Sequence, residues 1–359
     1  MARFFLKRFS VWLAALACLL AAPAGAVSID MVTVGNASNA NDTTGYGAVG
    51  YDYQIGKYDV TIGQYTEFLN AVAVTDTYSL YSSDMGTHGN IQGISQSGSS
   101  GSYSYSVLGS ANRPITFVNW FDSARFANWM ANGQPTGAQG STTTENGAYA
   151  LSGVDNGGIV PAKNATNPNT NATPTFSIPT ENEWYKAAYY SPNYGGVGVG
   201  GYYAYATQSN TVPGNVVGST ANQANYYNGV YSVTQSSRYV TIQNYLTDVG
   251  AFSGSGSFYG TFDQGGNVFQ WNDLDGTAGS SCGLRGGNWN EKDAFILSSS
   301  CRYSNSGGFV TYEGSGIGFR LASPVSGSAV PEIDPNGLSA ALGLIVGGLG
   351  LLERRRHGR

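Results

Sequence analysis

Ile178-Pro179-Thr180-Glu181-Asn182-Glu183-Trp184-Tyr185-Lys186-Ala187-Ala188 is the run from which the rest of this chain is read. Thr180 and Glu183 are spaced as a capping box, in which hydroxyl and carboxylate satisfy the backbone N–H groups that a first helical turn leaves free. Trp184, Ala187 and Ala188 follow at helical spacing. Glu181 and Glu183 could be the paired carboxylates of a glycosidase, but at a helix start capping and the helix dipole explain them better.

Upstream, Thr61 and Gln64 make another capping box ahead of an apolar stripe of Tyr65, Phe68, Leu69 and Val72. A third helix follows Asn119, with Phe121, Ala124, Phe126, Ala127 and Met130 in register and Gly133 placed to end it. Short strands are expected over residues 54–58, 113–118, 284–289 and 318–322, and polar insertions over 89–111, 133–175 and 194–223 read as long surface loops. The Ser-Tyr alternation of residues 102–106 leaves an exposed strand open beside the solvated loop. Few helices with irregular short strands indicate an α+β domain, and no fixed-period repeat suggests a solenoid or propeller.

The ends have different chemistry. Arg3, Lys7 and Arg8 precede an apolar run over residues 11–22 and then Ala24-Gly25-Ala26, the pattern of a signal peptide covering residues 1–26. Residues 338–352 are apolar and Gly-rich and are closed by Arg354-Arg355-Arg356 and Arg359. As a helix this segment reaches roughly 22 Å against a hydrocarbon core of about 30 Å, a short anchor whose basic end stays cytoplasmic. Three of the 17 Lys and Arg residues lie in the signal and four beyond residue 325, leaving 10 in the body; three of the 22 Asp and Glu lie in that tail, leaving 19. An acidic body argues against nucleic acid or an anionic membrane as partner. The expected division is therefore a signal over 1–26, one domain over 27–325 and a tail over 326–359.

Together with Val330-Pro331-Glu332-Ile333-Asp334-Pro335, the tail resembles the PEP-CTERM sorting signal of exopolysaccharide-producing Gram-negative bacteria. That resemblance implies an exosortase-type protease as partner, export, and display at the cell surface or in the extracellular matrix; a permanent anchor is the alternative. In the body, ordered blocks resemble the formylglycine-generating, or sulfatase-modifying factor, family. They are Tyr58-Asp59-Val60-Thr61 with Gln64-Tyr65 and Phe68-Leu69; Arg113-Pro114-Ile115; Val118-Asn119-Trp120 with residues 124–129; and Ile178-Pro179-Thr180-Glu181 with Glu183-Trp184. Gly266-Asn267-Val268 with Trp271, Arg285-Gly286-Gly287-Asn288-Trp289 and Gly318-Phe319-Arg320 complete the series. The resemblance covers nearly all of the body and implies a formylglycine-generating-enzyme-like, C-type-lectin-like fold of class α+β.

It also implies chemistry. Family enzymes hold copper(I) between two thiolates a few residues after the Gly-Gly block, but here those places carry Glu291 and Ile296. Carboxylate and alkyl groups do not suit that soft ion, so no copper is expected. With His88 the only histidine of the body, iron chemistry through histidines is not expected either. The family's calcium site maps onto Asp263, the carbonyls of Gly266 and Val268, and Gln270 in place of glutamate; hydrogen bonding in a Gly-rich turn is the alternative role of Asp263 and Gln270. A second calcium site would use Asn225 and the carbonyl of Tyr226. Cys282 and Cys301, the two cysteines that survive processing, are expected to pair in an oxidising compartment, with two buried thiols as the alternative. The functional expectation is a non-catalytic binding or structural domain that meets exopolysaccharide or an envelope protein. The alternative is a formylglycine-generating-type oxidoreductase acting on cysteines of exported proteins.

Overall fold

The computed structural model describes residues 26–155, 160–273, 282–304 and 310–325, the side chains of Cys282 and Ser304 excepted. Four α-helices are described, α1 (Ile62–Val72), α2 (Asp84–Thr87), α3 (Trp120–Ala131) and α4 (Glu181–Tyr189), with a 3-10 turn at Ala294–Leu297. The three longer ones start where the caps predict. Gln64 N donates to Thr61 Oγ1 at 3.3 Å and Glu183 N to Thr180 Oγ1 at 3.2 Å, while Gln64 Oε1 and Glu183 Oε2 accept in return from the cap N–H groups. Asn119 and Asp122 make the same reciprocal pair ahead of α3.

Every residue of α3 is buried, which makes it the axis of the molecule. Tyr65 and Phe68 of α1 meet Phe126 and Trp129 of α3 with ring centroids 5.2 to 6.0 Å apart, and Phe319 closes the cluster from the far side. The polar residues of α3 and its C-cap Asn132 hold the 133–175 insertion. Arg125 forks onto Glu145 at 2.7 and 3.1 Å, Asn128 brackets Thr144 and Tyr149 through main-chain bonds, and Asn132 donates to the carbonyls of Thr143 and Asn146. That insertion is therefore fixed to the core by side-chain amides rather than by strands of its own.

The strands are short: β1 (Met31–Val34), β2 (Tyr53–Gly56), β3 (Ile94–Ser97), β4 (Ser104–Val107), β5 (Tyr190–Ser191), β6 (Gly201–Tyr202), β7 (Phe269–Asp273), β8 (Cys282–Arg285), β9 (Tyr303–Ser304), β10 (Ile317–Phe319) and β11 (Ala322–Pro324). They form a sheet β1-β2-β11, a sheet β10-β7-β8-β9 and the hairpins β3-β4 and β5-β6. β10 runs parallel to β7 and the other pairs are antiparallel. Few helices and small sheets joined by long loops are the expected α+β architecture.

Some expectations are corrected. The Ser-Tyr alternation is not solvated loop but β4, with Tyr105 turned into the core while Ser104 and Ser106 face out. Residues 113–118 form no strand and contribute one isolated bridge, Thr61 to Pro114. The strand expected over 284–289 starts earlier and stops at Arg285, because Gly286 and Gly287 take φ of 100° and 75°. The segment over 318–322 divides into β10 and β11 around Arg320. No described helix is long and apolar enough to cross a membrane; residues 1–25 of the expected signal and the whole 326–359 tail lie outside the described residues.

Candidate functional site

One face of the β10-β7-β8-β9 sheet and the turns beside it border a cleft of about 180 Å³. Phe269 of β7, Leu284 of β8 and Tyr303 of β9 give it an apolar and aromatic wall, Tyr312 stands opposite, and Asn288 and Glu291 supply its polar groups. Phe269 and Tyr303 meet edge to face at 5.3 Å. The Gly-Gly block places Glu291: after the left-handed Gly286 and Gly287 the chain turns back, Trp289 N donates to Asn267 O at 3.0 Å, and Trp289 stacks on Tyr245 at 5.2 Å. Burial, and then Asp293, raises the Glu291 carboxyl above its ordinary value. Ile296 sits in the 3-10 turn, half-buried, and does not line the cleft.

Asp263, Gly266, Val268 and Gln270 are neighbours in the turn leading into β7, and the Gln270 side chain is already committed. Gln270 Oε1 accepts from Trp184 Nε1 at 2.7 Å and from Arg320 Nε at 2.6 Å, and its Nε2 donates to the main-chain oxygen of Asp263 at 2.8 Å. An amide oxygen with two donors has no lone pair left, and a guanidinium beside it repels a second cation. Asp263 Oδ2 accepts from Gly250 N at 2.6 Å, and burial pushes this carboxyl up to about 6. Gly266, at φ 81°, brings its backbone against Asn225, where a Cβ would stand 2.4 Å from the Asn225 carbonyl oxygen. The set does not fit a calcium ion.

The second pair is corrected for the same reason. The Tyr226 carbonyl accepts from Asn215 Nδ2 at 3.1 Å and Ser232 Oγ at 3.2 Å. Asn225 turns its NH₂ toward Tyr245 O and Asn267 Oδ1, at 3.0 Å each. Protein N–H and O–H groups thus take the lone pairs of the Tyr226 carbonyl that a cation would use. Among the described residues, no group of three or more His, Cys, Asp or Glu could hold a metal ion.

Of the expected Cys282–Cys301 pair, the Cys282 side chain lies outside the described residues; Cys301 is free and buried, and burial raises its thiol against the pull of Arg285. Leu284 pairs with Tyr303, so Cys282 and Cys301 lie on opposite sides of that pair. Four residues of strand separate their levels, roughly 13 Å, whereas a disulfide needs Cα atoms within about 7 Å.

Two guanidiniums near the cleft are neutralised internally. Arg285 lies between the Tyr46 and Tyr185 rings, 4.8 Å from each centroid, and reaches Glu181 through Nε at 2.7 Å; Arg302 Nε contacts the same carboxylate at 2.7 and 2.9 Å. Glu181 therefore balances two cations, and Glu183 caps α4 and accepts from Tyr51. Neither carboxylate is disposed as a catalytic pair.

Asp273 ends β7 fully buried. It accepts from Trp120 Nε1 at 3.0 Å and Tyr149 Oη at 2.7 Å, with Lys163 Nζ 3.7 Å away. Burial pushes its carboxyl up to about 6, against the pull of Lys163. A second feature invisible in the sequence is an open hollow of about 660 Å³ where Tyr190, Tyr194 and Tyr202 surround Asn41 and Asp42. Its parts come from segments about 150 residues apart, and its one sequence signal is the density of Tyr and Gly in residues 190–203.

Comparison with known proteins follows the same lines. The family described as sulfatase-modifying factor enzyme 1-like domain matches residues 23–325. Among solved structures, the chain is similar to the crystal structure of CarF at 19% identity, covering 83% of this chain and 99% of that one, with a TM-score of 0.44. It is similar to Treponema denticola variable protein 1 at 17% identity, covering 84% and 97%, TM-score 0.42. PvdO from Pseudomonas aeruginosa is similar at 16% identity, covering 83% and 92%, TM-score 0.40. No curated protein matches the chain.

Proposed function

This chain belongs to the sulfatase-modifying factor enzyme 1-like domain family, and from that premise we propose that it is a non-catalytic member, an exported binding or structural module displayed in an exopolysaccharide layer. The observation that carries the reading is what stands where the family's enzymes hold copper. Glu291 presents a hard carboxylate to the cleft, Ile296 an alkyl group away from it, and Cys301 is a single buried thiol. One thiol cannot supply the soft two-sulfur site that copper(I) requires.

Binding is supported by the loops. The hollow around Tyr190, Tyr194 and Tyr202 offers aromatic faces beside the Asn41 amide, a combination suited to sugar rings by stacking and hydrogen bonding. The acidic body favours a neutral polysaccharide over an anionic one. The signal-like start and the PEP-CTERM-like tail support export and sorting by an exosortase-type protease.

Two measurements test the reading. Reduced protein titrated with copper(I) against a competing chelator, and then mixed with a cysteine-containing peptide in an oxygen electrode, is expected to take up no copper and consume no oxygen. Uptake with thiol oxidation would overturn it. Retention on the producing cell's own exopolysaccharide is the positive arm, weakened by Tyr194→Ala.

A further inference from the structure

We propose that the cleft beside Glu291 is a recognition site for an alkylammonium group, and specifically for a lysine side chain of a partner polypeptide. The inference rests on the reading that this cleft holds no copper. Its first support is the state of Glu291: among the described residues the half-buried carboxylate has neither a hydrogen bond nor an ion pair. Most buried polar groups are partnered, and a carboxylate partly withdrawn from water without a cation is destabilising until one arrives.

The neighbouring cations do not fill that role. Arg285 and Arg302 are both drawn to Glu181, and Lys292, next in sequence, reaches instead toward the Tyr227 ring at 6.0 Å. Asp293 adds negative charge nearby. The site therefore carries a net negative potential that no ion pair among the described residues balances.

The walls select the kind of cation. Tyr303 and Tyr312 are 49% and 51% exposed and flank the cleft, and aromatic faces attract an ammonium through the ring quadrupole. Leu284 and Ile317 offer an apolar surface to a methylene stem. A space of about 180 Å³ admits one side chain and no folded surface. A hydroxyl-rich amino sugar would lose hydrogen bonds to water against Leu284 and Ile317, so a lysine stem is the better occupant.

The test titrates the purified chain, by calorimetry, with a lysine-containing peptide, its acetyl-lysine counterpart and glucosamine. Wild type is expected to bind the lysine peptide at least tenfold more tightly than the acetylated peptide or glucosamine. Glu291→Gln, which keeps the shape, is expected to weaken binding about tenfold or more with a melting temperature no lower than that of wild type, and Tyr303→Ala to weaken it less. Equal binding of the acetylated peptide, equal binding by Glu291→Gln, a preference for glucosamine, or no binding by wild type each overturns the assignment. Failure here with no copper uptake removes the lysine site alone, whereas copper uptake with oxygen consumption removes the non-catalytic reading beneath it.

Discussion

Arg320 is the residue on which most depends. Its guanidinium is fully buried, and it donates to Gln270 Oε1, Gly56 O, Lys57 O, Asp59 Oδ1 and Phe262 O, joining the first strands to the last. Arg320→Met leaves Asp59 buried without its cation, and a loss of about 3–5 kcal/mol is expected from urea denaturation. Burial also sets a pH dependence, since Asp263 and Asp273 are pushed up to about 6 from an ordinary 3.8. A carboxyl whose folded value is raised contributes stability that is fully present below its unfolded value and lost as pH rises through the folded one. Urea midpoints are therefore expected to fall from pH 4 to pH 7, and Asp273→Asn to flatten the slope. The importance of the Gly-Phe-Arg block is legible in the sequence, but its role is not, because the partners of Arg320 lie 50 to 264 positions away.

Among the elements, the caps translated directly into structure because their hydrogen bonds are local. Thr61→Ala and Thr180→Ala are each expected to cost about 1 kcal/mol in chemical denaturation. They should be additive in the double variant, since no hydrogen bond joins the two caps. Elements set by distant partners were harder to read. β4 is specified by pairing Tyr105 with Gln96 and by burying its ring under α1, neither of which a Ser-Tyr alternation announces. Residues 113–118 have strand-like composition but spend their backbone on single bonds to Val60 and Gly314. The surroundings of Gln270 were hidden at the same level: the donors from Trp184 and Arg320 that fill its side-chain oxygen come from α4 and the β10–β11 junction.

For the whole molecule, the two ends and the body carry separate kinds of information. The body's fold was legible because its tryptophans sit in ordered blocks and serve as buried anchors: Trp120, Trp129, Trp184 and Trp271 each donate an indole N–H inside the core. The thiols were not legible, since two cysteines behind a signal-like start suggest a bridge whatever their register. Alkylation of the denatured, unreduced protein is expected to modify both Cys282 and Cys301, and a doubly unmodified mass would restore the bridge. Chelation by EDTA is expected to leave the melting temperature unchanged, because Arg320 and Trp184 hold the Gln270 oxygen that a calcium would need.

The amides that hold the 133–175 insertion to α3 also give the molecule a clock. Asn132 and Asn146 each precede a glycine, the sequence in which a backbone nitrogen most readily attacks the side-chain amide and releases ammonia. Conversion of Asn132 to an acid would exchange a donor for a charge facing the carbonyls of Thr143 and Asn146. Chemical ageing at this seam would therefore loosen the insertion from α3, at a rate set by how firmly those two loops hold their own backbone still.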